Sequence, residues 1–247
     1  MVAQARGAAG AVGGGARGWC VLFCIGLLGG CGTRRLEPTT APPPLVEPRP
    51  GPTVPAGAQA YAIDPGRSVV TLRVYRAGPL ARLGHNHVIT STDEAGYAWT
   101  SGELTGSGFE VRVPVAGLVV DDPAARAAAG PDFPGEVPAE AREGTRRNLL
   151  RPEVLDGERH PEIIVQAETL GGTWEAPVVL ARVIIRGQAR VIEVPLVVVR
   201  EPGALAAQGT FRLLQSEFGI TPFSVGGGAI QVADAVDVHF EIGAVPR

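Results

Sequence analysis

The chain of 247 residues has no lysine, no cysteine beyond Cys31 and few aromatic side chains: seven Phe, three Tyr and three Trp. Without a later cysteine, the body from residue 32 onward holds no disulfide, no thiol nucleophile and no thiolate-ligated metal. Arginine without lysine, beside 34 glycines and abundant alanine and proline, reads as composition bias rather than function. Excess positive charge is also missing. Residues 1–59 carry five Arg against two acidic residues, and residues 60–247 carry 17 Arg against 23 acidic residues. A net-acidic body with no stripe of arginine and aromatics excludes nucleic acid as the partner, because phosphate neutralisation needs a basic surface. There is no GxSxG elbow, no HExxH helix motif and no internal repeat.

The N-terminus has the parts of a secretory signal. Arg6 and Arg17 supply positive charge, and the apolar stretch CVLFCIGLLGG follows at 20–30. That length suits a signal-peptide core and falls short of the roughly 20 residues needed to span a bilayer. Leu28-Gly29-Gly30-Cys31 resembles a bacterial lipobox, in which small residues precede a cysteine that is lipidated and becomes the mature N-terminus. The reading is a signal peptide over 1–30 with Cys31 as the lipidation site; an ordinary signal with a chance cysteine is the alternative. Residues 32–59 contain eight prolines and no apolar periodicity. They predict an extended, semi-rigid tether between a membrane anchor and a domain at 60–247. The expected location is the periplasm, lipid-anchored. Gly32, rather than an Asp after the cysteine, points to the outer membrane of a two-membrane envelope.

The rest alternates. Val70, Leu72 and Val74 face one way and Thr71, Arg73 and Tyr75 the other. Phe109, Val111, Val113 and Val115 oppose Glu110 and Arg112, and Ile163 and Val165 oppose Gln166 and Glu168. Residues 178–187 and 190–200 read as adjacent strands turning at Arg186-Gly187-Gln188-Ala189. Further strands are predicted at 209–214 and 229–243, where Val236, Val238 and Phe240 face in and His239 faces solvent. Residues 137–156 lack alternation and suit a helix ending near Leu150, stopped by Pro152. Residues 121–138, rich in Pro and Gly, predict a mobile loop. Many short strands, few aromatics and one helix favour an all-β closed barrel of about eight antiparallel strands. A barrel of that strand number has room for one small ligand.

Four stretches resemble the YceI-like family in order: YAIDPGRSVVTLRV at 61–74, RRNLLRPEVLDGERHPEIIVQAE at 146–168, VIIRGQARVIEVPLVV at 183–198 and GTFRLLQSEFGITPFS at 209–224. The resemblance spans about 60–244. It implies an extended, lipocalin-like antiparallel barrel with the helix at one side. It also implies an apolar tunnel that takes a polyisoprenoid or similar amphiphile. Such a ligand is held by apolar area removed from water, at about 25 cal/mol per Å². The candidate wall is Val70, Leu72, Val74, Phe109, Val111, Val113, Ile163, Val165, Ile192 and Val194. No cofactor is expected beyond a bound isoprenoid or isoprenoid quinone, and the expected partners are that amphiphile and, through the anchor, a membrane.

The stretch RLGHNHVIT at 82–90 departs from the family pattern by holding two histidines, His85 and His87. On one strand they would share a face. Two readings follow: a polar rim that hydrogen-bonds a ligand head group, or a zinc or copper site. The metal reading extends to a metal-dependent hydrolase. It needs further ligands, for which His160, Asp93 and Glu94 are the options. Structural hydrogen bonding at a strand start is a third use. No catalytic set is expected: Asp64 and Asp121-Asp122 have no partner of defined spacing, and nothing brings Ser216 and His160 together. The chain reads as a binding protein, not an enzyme.

Overall fold

A computed structural model of the protein describes residues 51–247. The signal segment, Cys31 and most of the tether lie outside the described residues. The described strands and helices are β1 (Gln59–Ile63), β2 (Val69–Ala77), β3 (His87–Ser91), β4 (Ala95–Thr100), β5 (Gly108–Pro114), β6 (Val119–Val120), α1 (Pro123–Ala129), α2 (Ala139–Leu149), β7 (Glu162–Gly172), β8 (Pro177–Ile185), β9 (Gln188–Val194), β10 (Leu196–Glu201), β11 (Ala204–Leu214), β12 (Ser224–Val225) and β13 (Ile230–Pro246). No described helix is long and apolar enough to cross a membrane.

Every pairing is antiparallel, and the pairings run round a ring. β13 holds β1 and β2 on one edge and β11 on the other. From β1 the order continues through β4, β5, β7, β8 and β9. β9 passes into β10 through Pro195, and β10 pairs with β11. Four successive pairs of segments are single long strands bent at a corner: β1 with β2, β3 with β4, β5 with β6, and β9 with β10. With β12 as a short arm on β13, the segments make eight strands of an up-and-down barrel. This is the all-β architecture that the alternating pattern predicts, with the helices inserted between β6 and β7.

Local chemistry sets the corners. Between β1 and β2, Asp64 Oδ1 accepts from the Gly66 amide at 3.0 Å, and Pro65 starts the turn. Ser68 then donates to the Asp64 carbonyl at 2.8 Å and accepts from the Gly243 amide at 3.1 Å, fastening the corner to β13. Asp64 thus has a role that sequence spacing does not show. At the start of β4, Gly96 has φ 135°, and a Cβ there would collide with the Glu110 carbonyl oxygen. Glycine is the residue that fits this backbone and this approach. Between β9 and β10, Pro195 donates no hydrogen bond. The strand changes partner there, from β8 to β11.

The helix expected over 137–156 is α2, and Leu150 caps it. Arg146 donates to the Ala116 carbonyl at 2.7 Å, which ties α2 to the β5–β6 corner. The loop expected over 121–138 is instead built and anchored. Asp122 caps α1 by accepting from the Ala124 and Ala125 amides, with Pro123 at the first helical position. Arg126 is buried and donates to the carbonyls of Asn86, Pro134 and Gly135. Phe133 is buried against Tyr75, ring centroids 5.5 Å apart. The Pro/Gly composition hid this order, because the anchors are one arginine and one phenylalanine rather than a periodic face.

Residues 51 and 52, within the stretch expected to be a tether, pack against β4 and β5. The Tyr97 hydroxyl donates to the Pro52 carbonyl at 2.6 Å, and Gly51 passes so close to the Glu110 carboxylate that a Cβ would not fit.

Candidate functional site

The barrel encloses an apolar lumen of about 370 Å³. That lies within the ~300–1,000 Å³ of small-molecule sites. Of the predicted wall, Val70, Leu72, Val74, Phe109, Val111, Val113, Ile163, Val165 and Val194 line it. Ile192 is not among its lining residues: it is half-buried and packs against both apolar clusters. Further wall residues come from strands whose pattern was read without being assigned to a site, among them Val179, Ala181, Val183, Phe211, Val236, Val238 and Phe240. Alanines on β4, β8 and β11 (Ala98, Ala181 and Ala207) leave room where larger side chains would fill the bore.

Register fixes the two ends of the lumen. One end lies where β2 finishes and β3 begins. His87 lines it, with Thr145 and Asn148 of α2, Gln215 and Phe223. The other end lies where β4 finishes and β7 turns into β8. It is lined by Trp99, Thr100, Leu104, Ser107, Trp174 and Pro177. At that end polar groups are partly used up locally. Trp99 Nε1 donates to the Gly106 carbonyl at 3.0 Å, and the Ser107 hydroxyl bonds the Glu103 carbonyl and the Ser101 amide. At the His87 end, Gln215 Nε2 donates to the Ala233 carbonyl at 2.8 Å. The side chains of Thr145 and Asn148 have no hydrogen-bond partner among the described residues.

His87 belongs to a buried network. Its Nδ1 lies 2.6 Å from Asp121 Oδ2. Asp121 Oδ1 accepts from the Val88 amide at 2.9 Å and from Arg126 at 2.6 Å. Asp121 and Arg126 are 1% and 3% exposed. Burial pushes the Asp121 carboxyl up, but the bonds from His87, Val88 and Arg126 outweigh it and hold its pKa below the ordinary carboxylate value. Asp121 also sits at φ 53°, a left-handed backbone that Asp adopts more readily than most residues. The turn expected at Asp121-Asp122-Pro123 therefore does more than end β6. Asp122 caps a helix, and Asp121 orients a lumen histidine. The available sign was Asp-Pro as a helix start; nothing in the spacing links Asp121 to His87.

The expected pairing of His85 with His87 on one strand face does not occur. β3 begins at His87, and His85 precedes it, exposed and away from the lumen. Nor do the other metal-ligand options converge. Asp93 is exposed, and Glu94 is buried at the β3–β4 corner with neither carboxylate oxygen bonded among the described residues. His160 sits beside Gly187. Among the described residues no group of three or more His, Cys, Asp or Glu side chains is placed to hold a metal. Ser216 donates to Asp234 at 2.6 Å rather than meeting His160. His239 lies on the outer face, with Nδ1 3.0 Å from the Thr210 hydroxyl.

The family model for the YceI-like domain matches residues 61–244. The chain belongs to the YceI-like domain family. Two solved structures show the same fold. Burkholderia cenocepacia BcnA is 13% identical with a TM-score of 0.52, over 74% of this chain and 99% of that one. A polyisoprenoid-binding domain from Saccharophagus degradans, implicated in plant cell wall breakdown, is 12% identical with a TM-score of 0.50, over 76% and 99%. No curated protein matches the chain. In this YceI-like barrel, the resemblance seen in four ordered motifs is thus matched by the family model and by the fold.

Proposed function

We propose that the barrel binds a polyisoprenoid or similar amphiphilic lipid in its lumen, to carry or shield it in a bacterial envelope. The observation that carries this is the apolar void itself. The bore is about 370 Å³ and its walls are almost entirely apolar, so an apolar tail placed there is removed from water. Side chains selected for stability alone would fill such a space; valines and alanines here keep it open. A long apolar tail gains from the same walls, and its polar end fits the His87 end, where the side chains of Thr145 and Asn148 are unpaired among the described residues; at the opposite end the unpaired polar group is the Trp174 Nε1 donor. The Saccharophagus degradans domain, whose fold this chain shares, is a polyisoprenoid binder by name.

The test is a lumen plug. Val165→Trp places an indole in the bore. It is expected to weaken binding of an isoprenoid such as geranylgeraniol at least tenfold, read by quenching of intrinsic tryptophan fluorescence, while the circular dichroism spectrum keeps its strand signal. Undiminished binding in a folded variant would contradict a ligand inside the barrel.

The reading extends to location. Lipidation at Cys31 would hold the barrel at a membrane through the proline-rich tether, with the outer membrane as its destination. Cys31→Ala is expected to move the protein from the membrane to the soluble envelope fraction. Unchanged fractionation would remove the anchor from the account.

A further inference from the structure

In a neutral imidazole one ring nitrogen carries the proton and the other accepts. Which nitrogen does which is set by the partner of the first. Here that partner is an acceptor. Asp121 Oδ2 faces His87 Nδ1 at 2.6 Å, while donors from Val88 and Arg126 already occupy Oδ1. The proton of neutral His87 therefore sits on Nδ1, and Nε2 keeps a lone pair. Nε2 has no partner among the described residues, on a side chain that lines the lumen. Arg126 does not offset this. Its guanidinium is buried and is committed to Asp121 and to the carbonyls of Asn86, Pro134 and Gly135. The His87 end thus presents a fixed acceptor, with no free cation in the network behind it.

We propose that His87, positioned by Asp121 and Arg126, is a hydrogen-bond-acceptor subsite that selects amphiphiles whose head group donates, namely hydroxyl-bearing lipids, over those whose head group can only accept. The proposal rests on the lumen reading above and adds to it the chemistry of the ligand's polar end. An alcohol and its methyl ether separate the two ideas, since they share a tail and differ in one donor.

The experiment titrates the purified domain at pH 8 with geranylgeraniol and with geranylgeranyl methyl ether. The wild type is expected to bind the alcohol about tenfold tighter, roughly the worth of one hydrogen bond. His87→Leu is expected to erase the preference. In Asp121→Asn the amide can donate to Nδ1, the proton moves to Nε2, and the preference collapses. Long-range ¹H–¹⁵N NMR on the wild type reads the tautomer directly and does not depend on any variant folding. A proton on Nδ1 with Nε2 bare supports the subsite. A proton on Nε2, or equal affinity for alcohol and ether, overturns it and leaves the lumen reading standing. Failure of both ligands to bind overturns the lumen reading and the subsite with it.

Discussion

Asp121 combines three things that rarely coincide on one side chain: burial, a left-handed backbone and a charge. It is tolerated because each carboxylate oxygen has a charged or ring donor, and an amide adds to one of them. Removing one partner of a buried pair leaves the other uncompensated, which costs about 3–5 kcal/mol. Arg126→Met is therefore expected to lower the urea-unfolding free energy by that amount, whereas exposed Arg147→Met should change it by less than about 0.5 kcal/mol. The pH dependence has a definite sign. Because the folded carboxyl is held below its ordinary value, its stabilisation is fully present above about pH 4 and is lost as pH falls through the folded value. Asp121→Asn should flatten the stability profile below pH 4 relative to the wild type. Little of this was legible in the sequence. His87 stands out beside His85, but its partner lies 34 residues on, and only the strand pairing of β3 with β6 brings the two together. A side-chain network assembled across strands leaves no trace in spacing.

Strands were the most legible elements, because period-two alternation is imposed by burial on one face of a sheet. Val70, Leu72 and Val74, or Ile163 and Val165, could be assigned a common face from residue order alone. Corners were not legible. The continuity of β1 with β2 as one bent strand depends on contacts such as Ser68 with Gly243, 175 residues away. Local composition can even mislead, as at 121–138, where Pro and Gly surround a capped helix. The corner glycine offers a test at this scale. Gly96→Ala forces a side chain into a φ of 135° and against the Glu110 carbonyl. It is expected to cost upward of roughly 1–3 kcal/mol. Gly102→Ala, where nothing lies within 4 Å of the added methyl, should be close to neutral. Equal unfolding midpoints for the two variants would mean that the corner yields more easily than its geometry indicates.

As a whole molecule, the protein is a barrel whose stability comes from its wall and its ends, with an apolar bore kept clear. Well-buried side chains such as Val115, Phe218 and Ile220 pack at the end capped by α2 and the turn after β11. Alanines and valines on the inner face, among them Ala98, Ala181 and Ala207, leave room inside. The polarity of the two ends is set by which turns meet there, so it emerged only from the fold. The most direct test of the central claim is native mass spectrometry of the protein purified in mild detergent from the cells that make it. The expected result is a mass above that of the covalent protein, carried by a non-covalent lipid that organic extraction releases and geranylgeraniol restores. A bare mass that stays bare after incubation with isoprenoids would contradict it.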